Sequence, residues 1–285
     1  MKKEIEIKCP AKINLSLDVI GRRSDGYHNL SMIMQEINLF DIIKISVYET
    51  EAAPLIELFC KDKHIPTDGQ NLIVKAANLF FKKTGITAST RIHLCKNIPV
   101  GAGLGGGSSD AAGTLMALNT LFESPLSGDA LAVLAKSLGA DVPFFLYGGC
   151  MLAEGIGEIL SPLPPLKNAF IVLAKPKISI STAYVYKNLV LDSTTKHPDI
   201  KAAITALHNQ DIDTLAKVAG NILETVVQKE HPEISEYKEI MLKNGASYSL
   251  MSGSGSSVFG VFKDRPSAEK ALSEFKHITT DAYLV

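Results

Sequence analysis

The chain opens on strict alternation. Ile5, Ile7 and Cys9, then Ile13, Leu15, Leu17 and Val19, occupy every second position, and a period of two predicts strands. Arg22 to Tyr27 is polar and turn-rich. Ile37 to Val47 and Leu55 to Cys60 read as further strands. Leu72, Ala76, Leu79 and Phe80 have helical spacing and predict a helix over Asn71 to Lys83. Arg91 to Cys95 is a strand. A glycine cluster follows, then helices from Ser109 to Phe122 and from Ser127 to Leu138. Ser161-Pro162-Leu163-Pro164-Pro165 reads as a linker, because closely spaced prolines discourage regular structure. Beyond it, Ala169 to Ala174 is a buried strand. Ile200 to Leu207, Ile212 to Val227 and Glu233 to Asn244 are helical. Ser247 to Met251 and Val258 to Phe262 are strands flanking a Gly/Ser loop. Ser267 to Phe275 is a last helix, and Ala282 to Val285 a short strand. Strands and helices interleave throughout, so the fold class is mixed α and β.

Composition narrows the functional classes. At 285 residues the chain is long enough for two domains, and 46% hydrophobic against 21% charged residues supports a substantial core. A net charge of −1 gives no global attraction to nucleic acid or an anionic membrane. No apolar run is long enough to span a bilayer, and Glu4 and Glu6 interrupt the place where a signal sequence needs its apolar core. Cys9, Cys60, Cys95 and Cys150 are scattered, with no C-x-x-C pair, as expected of free thiols in a cytoplasmic protein.

The chemistry concentrates at Pro99-Val100-Gly101-Ala102-Gly103-Leu104-Gly105-Gly106-Gly107-Ser108-Ser109. Each glycine weakens regular structure by roughly 0.5–1 kcal/mol. Such a run instead lets successive backbone N–H groups face one anion. Ser108, Ser109 and Asp110 are capping residues, so a helix starting there would aim its positive end at the loop. Loop and helix start together predict a phosphate site. Gly101, Gly103 and Gly106 also fit G-x-G-x-x-G. The acidic residue about 20 positions on, Glu123, closes a helix rather than a strand, which argues against a dinucleotide fold. No Gly-Lys dipeptide exists, so the P-loop pattern is absent.

Three segments together resemble the GHMP family of small-molecule kinases. They are Pro10-Ala11-Lys12-Ile13-Asn14-Leu15, the glycine loop, and Leu250-Met251-Ser252-Gly253-Ser254-Gly255-Ser256-Ser257. Asp25-Gly26-Tyr27-His28, Asn71-Leu72-Ile73-Val74 and Gly139-Ala140-Asp141-Val142-Pro143-Phe144-Phe145 narrow the likeness to members acting on a cytidine diphosphate conjugate. The resemblance implies transfer of the ATP γ-phosphate to the 2-hydroxyl of a CDP-linked methylerythritol. It also implies two domains: an N-terminal ribosomal-protein-S5-like α/β domain over 1–162 and a C-terminal ferredoxin-like α/β plait over 163–285. Other GHMP substrates (a sugar, homoserine or mevalonate derivative) and a nonenzymatic nucleotide-binding module are the alternatives.

By the same resemblance, Asp141 is the base for the substrate hydroxyl, and Lys12 contacts that hydroxyl and steadies developing charge. Asn14, two residues along the same strand face, joins the substrate site. Tyr27 offers a cytosine base an aromatic face and His28 an edge partner. Tyr186 is the candidate for the opposite face, with Tyr184 its competitor. Asn71 and Lys96 border the adenine. Gly253, Gly255 and Ser256 lie in a second amide-rich loop that positions phosphates. Magnesium is expected with ATP. The hydroxyls of Ser108 and Ser109 are available oxygens, but the ligand set stays open. A monomer or weak homodimer is expected.

Overall fold

The computed structural model describes residues 2–48 and 54–285. In chain order the elements begin with β1 (Lys2–Arg22), β2 (His28–Tyr48), β3 (Ile56–Cys60), α1 (Leu72–Thr84), β4 (Ser89–Cys95) and α2 (Gly106–Leu121). Next come α3 (Gly128–Leu138), α4 (Phe144–Tyr147), β5 (Cys150–Gly155), β6 (Ile159–Leu163), β7 (Phe170–Ala174), α5 (Thr182–Asn188) and α6 (Ile200–His208). The rest are α7 (Ile212–Val218), α8 (Glu224–Glu230), α9 (Glu233–Lys243), β8 (Tyr248–Met251), β9 (Val258–Phe262), α10 (Arg265–Lys276) and β10 (Ala282–Leu284). They form two compact units that interleave in sequence. The first comprises Met1–Ala11, Asn38–Val100 and Gly105–Gly148; the second comprises Lys12–Ile37, Gly101–Leu104 and Gly149–Val285.

In the first unit, β4 pairs antiparallel with β2 over Ile42–Tyr48 and parallel with β3. Helix α1 buries Ile73, Val74, Ala76, Ala77 and Phe80, the stripe its spacing predicts. It packs on α2, which also meets α3 and α4. Gly113 lets α2 lie close to β1: a Cβ there would come within 2.4 Å of Cys9 Sγ.

In the second unit, β2 pairs antiparallel with β5 over Leu30–Gln35, and β5 with β6. A separate antiparallel sheet has the order β10-β7-β9-β8. Helix α9 packs on β8 and β9, and α10 on β7 and β10. The stretch of β1 from Ala11 to Val19 is buried on both faces. Ile13, Leu15, Leu17 and Val19 fill one side, and Lys12, Asn14, Ser16 and Asp18 the other. Buried polar groups need partners, and these have them: Lys12 bonds Asn14, Ser16 bonds Gly220 and Asp18 bonds His197.

The structure corrects several expectations. The proline-rich stretch read as a linker carries β6, with Pro162 opposite Met151. As the last strand of the path, β6 is an edge, where a missing N–H costs no ladder bond. The helix expected over Ile212 to Val227 is two, α7 and α8, parted at Ala219–Leu223, where residue 221 bridges to Leu17 of β1. Ser108 and Ser109 do not cap α2; they lie in its first turn, and the cap is Gly105 at φ 70°. Strand β5 escaped the sequence reading, and β2 begins nine residues before the expected Ile37.

Candidate active site

The glycine loop is tied at both ends. The amide of Lys12 donates to Leu104 O at 3.0 Å, and the amide of Ser257 donates to Ala102 O at 3.1 Å. Ala102 and Leu104 are buried anchors, while Val100 and Gly101 are exposed and Pro99 half-buried. Gly103 is required by space as well as by conformation. Its φ is 74°, and a Cβ would stand 2.0 Å from the Ser252 carbonyl oxygen. Gly105 then opens α2, and the Ser109 amide donates back to Gly105 O at 2.9 Å. The amides of Gly106, Gly107 and Ser108 precede the first intrahelical bond and carry the positive end of the helix dipole, an arrangement suited to phosphate. Within that turn the Ser109 hydroxyl and Asp110 Oδ1 are buried with no hydrogen-bond partner. Oxygen donors of this kind fit a hard divalent cation. Among the described residues, however, no group of three or more His, Cys, Asp and Glu side chains gathers.

Lys12 and Asn14 lie side by side on β1. Lys12 is 4% exposed, and its Nζ donates to Asn14 Oδ1 at 2.7 Å and to Gly103 O at 2.9 Å. The same Gly103 oxygen accepts from the Ser252 hydroxyl at 3.0 Å. Gly253, at φ 55°, closes the cluster: a Cβ there would meet Asn14 Oδ1, Gly103 O and Lys12 Nζ, each at 3.3 Å. So the structure brings together Lys12, Asn14, Gly103 and Gly253. Gly255 turns back through its amide to Ser252 O at 2.9 Å, and the Ser256 hydroxyl donates to Ile178 O at 3.1 Å. Asp141 lies half-buried on the turn between α3 and α4.

His28 and Tyr186 also meet, with ring centroids 5.4 Å apart and planes at 32°. Burial, aided by the nearby Arg22 charge, holds the His28 imidazole below its usual range, which favours the neutral ring. Tyr27, 60% exposed, caps the adjoining turn, its amide donating to Asp25 Oδ1. Tyr184 faces elsewhere and donates its hydroxyl to Glu230. Tyr186 is therefore the tyrosine beside His28.

Asn71 is the N-cap of α1, accepting from the Ile73 amide at 2.9 Å and donating to Pro66 O at 2.7 Å. Lys96 sits in a buried ion triad: its Nζ bonds Asp41 and reaches Asp110 Oδ2 at 2.9 Å. Asp41 Oδ1 accepts the amides of Asn97 at 2.6 Å and Ile98 at 2.9 Å, fixing the approach to the glycine loop. Burial drives the Asp110 carboxyl up to about 7; Lys96 pulls it back and Asp41 adds repulsion. For Lys96, burial is outweighed by the two carboxylates, which leave its ammonium above the ordinary range. The sequence reading took Asp110 only as a capping residue and Ser252 only as part of a quoted segment, and it gave no role to Asp41, Asn221 and Glu224, which act through residues distant in sequence.

A strand lysine thus bonds the glycine-rich loop that precedes α2, a local arrangement suited to receiving phosphate. The GHMP kinase N-terminal domain matches residues 71–149 and the GHMP kinase C-terminal domain residues 203–278. The chain belongs to the GHMP kinase family. It is 46% identical to the 4-diphosphocytidyl-2-C-methyl-D-erythritol kinase of Lachnoclostridium phytofermentans, over 95% of this chain and 92% of that protein. It is 43% identical to the enzyme of that name from Clostridium novyi, over 96% of each. A crystal structure of 4-(cytidine 5'-diphospho)-2C-methyl-D-erythritol kinase superposes with TM-score 0.82 at 34% identity, covering 98% of both chains. A homoserine kinase from Cytophaga hutchinsonii shares the fold, with TM-score 0.79 at 20% identity.

Proposed function

We propose that this chain phosphorylates the 2-hydroxyl of 4-diphosphocytidyl-2-C-methyl-D-erythritol with ATP, giving the 2-phosphate and ADP in the non-mevalonate route to isoprenoid precursors. The observation that carries this is likeness over nearly the whole chain to kinases of that one name.

The residues take the following roles. The glycine-loop amides of residues 101–108 hold the ATP phosphates, with Pro99 and Val100 leading in and Ser109 in the first helical turn. Asn71 and Lys96 border the adenine. The substrate oxygen attacks the γ-phosphorus as the bond to the β–γ bridging oxygen breaks, and Asp141 takes the hydroxyl proton. Lys12 offers a fixed positive charge to the reacting oxygens, and its bonds to Asn14 and Gly103 hold that charge in place without later reorganisation. Tyr27, His28 and Tyr186 take the cytosine, while Gly253, Gly255 and Ser256 orient the diphosphate. Magnesium bound with ATP would supply charge neutralisation at the phosphates, and the Ser109 hydroxyl, buried without a hydrogen-bond partner, with Ser108 beside it, would be an oxygen available to hold it.

The proposed functional halves are 1–162 and 163–285; the matched segments at 71–149 and 203–278 lie one in each, while the compact units of the fold interleave across that boundary. A cytoplasmic location, a monomer or weak homodimer, and no nucleic-acid or membrane partner belong to the same proposal; the net charge of −1 gives no global attraction to either polyanion. The test is ADP release on mixing the purified chain with ATP, magnesium and the cytidine substrate, with the phosphorylated product identified by mass spectrometry.

A further inference from the structure

We propose that Asn221 is a positioning residue for phosphoryl transfer, fixing the 252–257 loop against the strand that carries Lys12. Nothing in the motifs marks this residue. It lies between α7 and α8, 6% exposed. Both N–H bonds of its side-chain amide are used on one target. They reach Met251 O and Gly253 O, the carbonyls either side of Ser252, each at 2.7 Å. Its Oδ1 accepts the Leu223 amide at 3.0 Å, which fixes the orientation of the amide plane.

The backbone around Asn221 is docked on β1. Leu17 donates to Gly220 O at 2.8 Å, the Ile222 amide donates to Leu17 O at 3.1 Å, and Leu17 and Asn221 form a parallel bridge. Five residues earlier on the same strand is Lys12. The contacts therefore close a circuit. Lys12 Nζ and the Ser252 hydroxyl share Gly103 O; Asn221 holds the residues flanking Ser252; and Asn221 is anchored to the strand of Lys12. Glu224 also holds the start of this loop, accepting the Met251 amide at 2.6 Å. No aliphatic side chain could substitute, because two buried carbonyls would lose their donors together.

The consequence is specific. If Asn221 is truncated, Ser252 is released from its neighbours' anchors and Gly103 O loses a fixed partner. Lys12 then loses the geometry of one of its acceptors. Such a change alters the charge offered to the reacting oxygen more than it alters nucleotide affinity, so kcat falls while KM for ATP holds. This rests on reading Lys12 and the 252–257 loop as parts of the transfer site.

The test compares Asn221→Ala with the parent chain in two ways. The first is amide hydrogen exchange over residues 251–257, where the amides of Ser252, Gly255 and Ser257 each have a backbone acceptor. Exchange there is expected to quicken at least about tenfold, with β9 unchanged. The second is kinetics: kcat is expected to fall at least about tenfold with KM for ATP within about threefold. Combining Asn221→Ala with Ser252→Ala should cost less than the product of the two separate effects, since both act on one loop. Asn221→Ser, which keeps one donor, should lie between. Unchanged exchange, kcat within about twofold of the parent, or multiplicative effects would each overturn the proposal. So would failure of both variants to reach the parent's circular dichroism spectrum, which would assign Asn221 to folding. The exchange result does not depend on activity, so it stands apart from any failure of the substrate assignment.

Discussion

Lys12 Nζ donates to the carbonyl oxygen of Gly103 across 91 residues of sequence, at 2.9 Å. The lysine is buried, and its ammonium donates to two oxygens, Gly103 O and Asn14 Oδ1, which fix its position. A cation fixed in this way needs no reorganisation to meet developing charge. Lys12→Met should lower kcat by about 10²-fold or more while ATP still binds, as read by steady-state kinetics beside nucleotide titration. Asp141→Asn should do likewise, by about 10²–10⁴-fold. Activity surviving either change would remove that residue from the chemistry.

Gly103 itself should not tolerate a methyl group. A Cβ would lie 2.0 Å from the Ser252 carbonyl oxygen, at a φ of 74°. Gly103→Ala is expected to push apart the two segments that share its carbonyl and to cut kcat/KM by about 10²-fold. The strained backbone should cost about 1–3 kcal/mol, visible as a lower thermal midpoint.

Asp110 gives a pH signature. Its carboxyl is raised from 3.8 to about 7, chiefly by burial, so between those values the folded chain keeps a proton that the unfolded chain has released. Stability from this group is full below the unfolded value and is lost as pH rises toward about 7. Lys96, Asp41 and the buried Cys9 thiol are the titratable groups around it. Asp110→Asn cannot titrate. Thermal midpoints measured from about pH 5 to about pH 8 should therefore fall less for the variant than for the parent. Equal slopes would show that Asp110 does not hold this proton.

His28 and Tyr186 stand 5.4 Å apart, close enough to form two sides of a base site. Aromatic stacking on a base contributes about 1–3 kcal/mol. Tyr186→Ala should raise KM for the cytidine substrate about tenfold or more while leaving KM for ATP unchanged. Tyr184→Ala, whose hydroxyl is engaged with Glu230, should change neither.

Local pattern carried much of the fold. The alternation through Ile13, Leu15, Leu17 and Val19 and the stripe of α1 both depend on spacing alone, and both elements formed where spacing put them. The glycine loop was legible because five glycines in a short run have few other uses. What pattern missed depends on distant partners. Pro162 is tolerated because its strand is an edge, which no local rule reveals. The break between α7 and α8 follows from docking on Leu17. Gly105 displaced the serines as the α2 cap, although serine is the better cap by propensity, because a turn at φ 70° is needed there. Asp41 reads as one more charge in a strand, yet it is fully buried and organises Lys96, Asn97 and Ile98. Asn221 left no local trace, because its partners lie on a hairpin 30 and 32 residues onward.

The most direct test of the central claim is acceptor specificity. The purified chain is given ATP and magnesium with, in turn, 4-diphosphocytidyl-2-C-methyl-D-erythritol, galactose, homoserine and mevalonate, and ADP release is followed. The account expects turnover with the cytidine conjugate and none above background with the other three. Turnover with one of those three, and none with the cytidine conjugate, would contradict it.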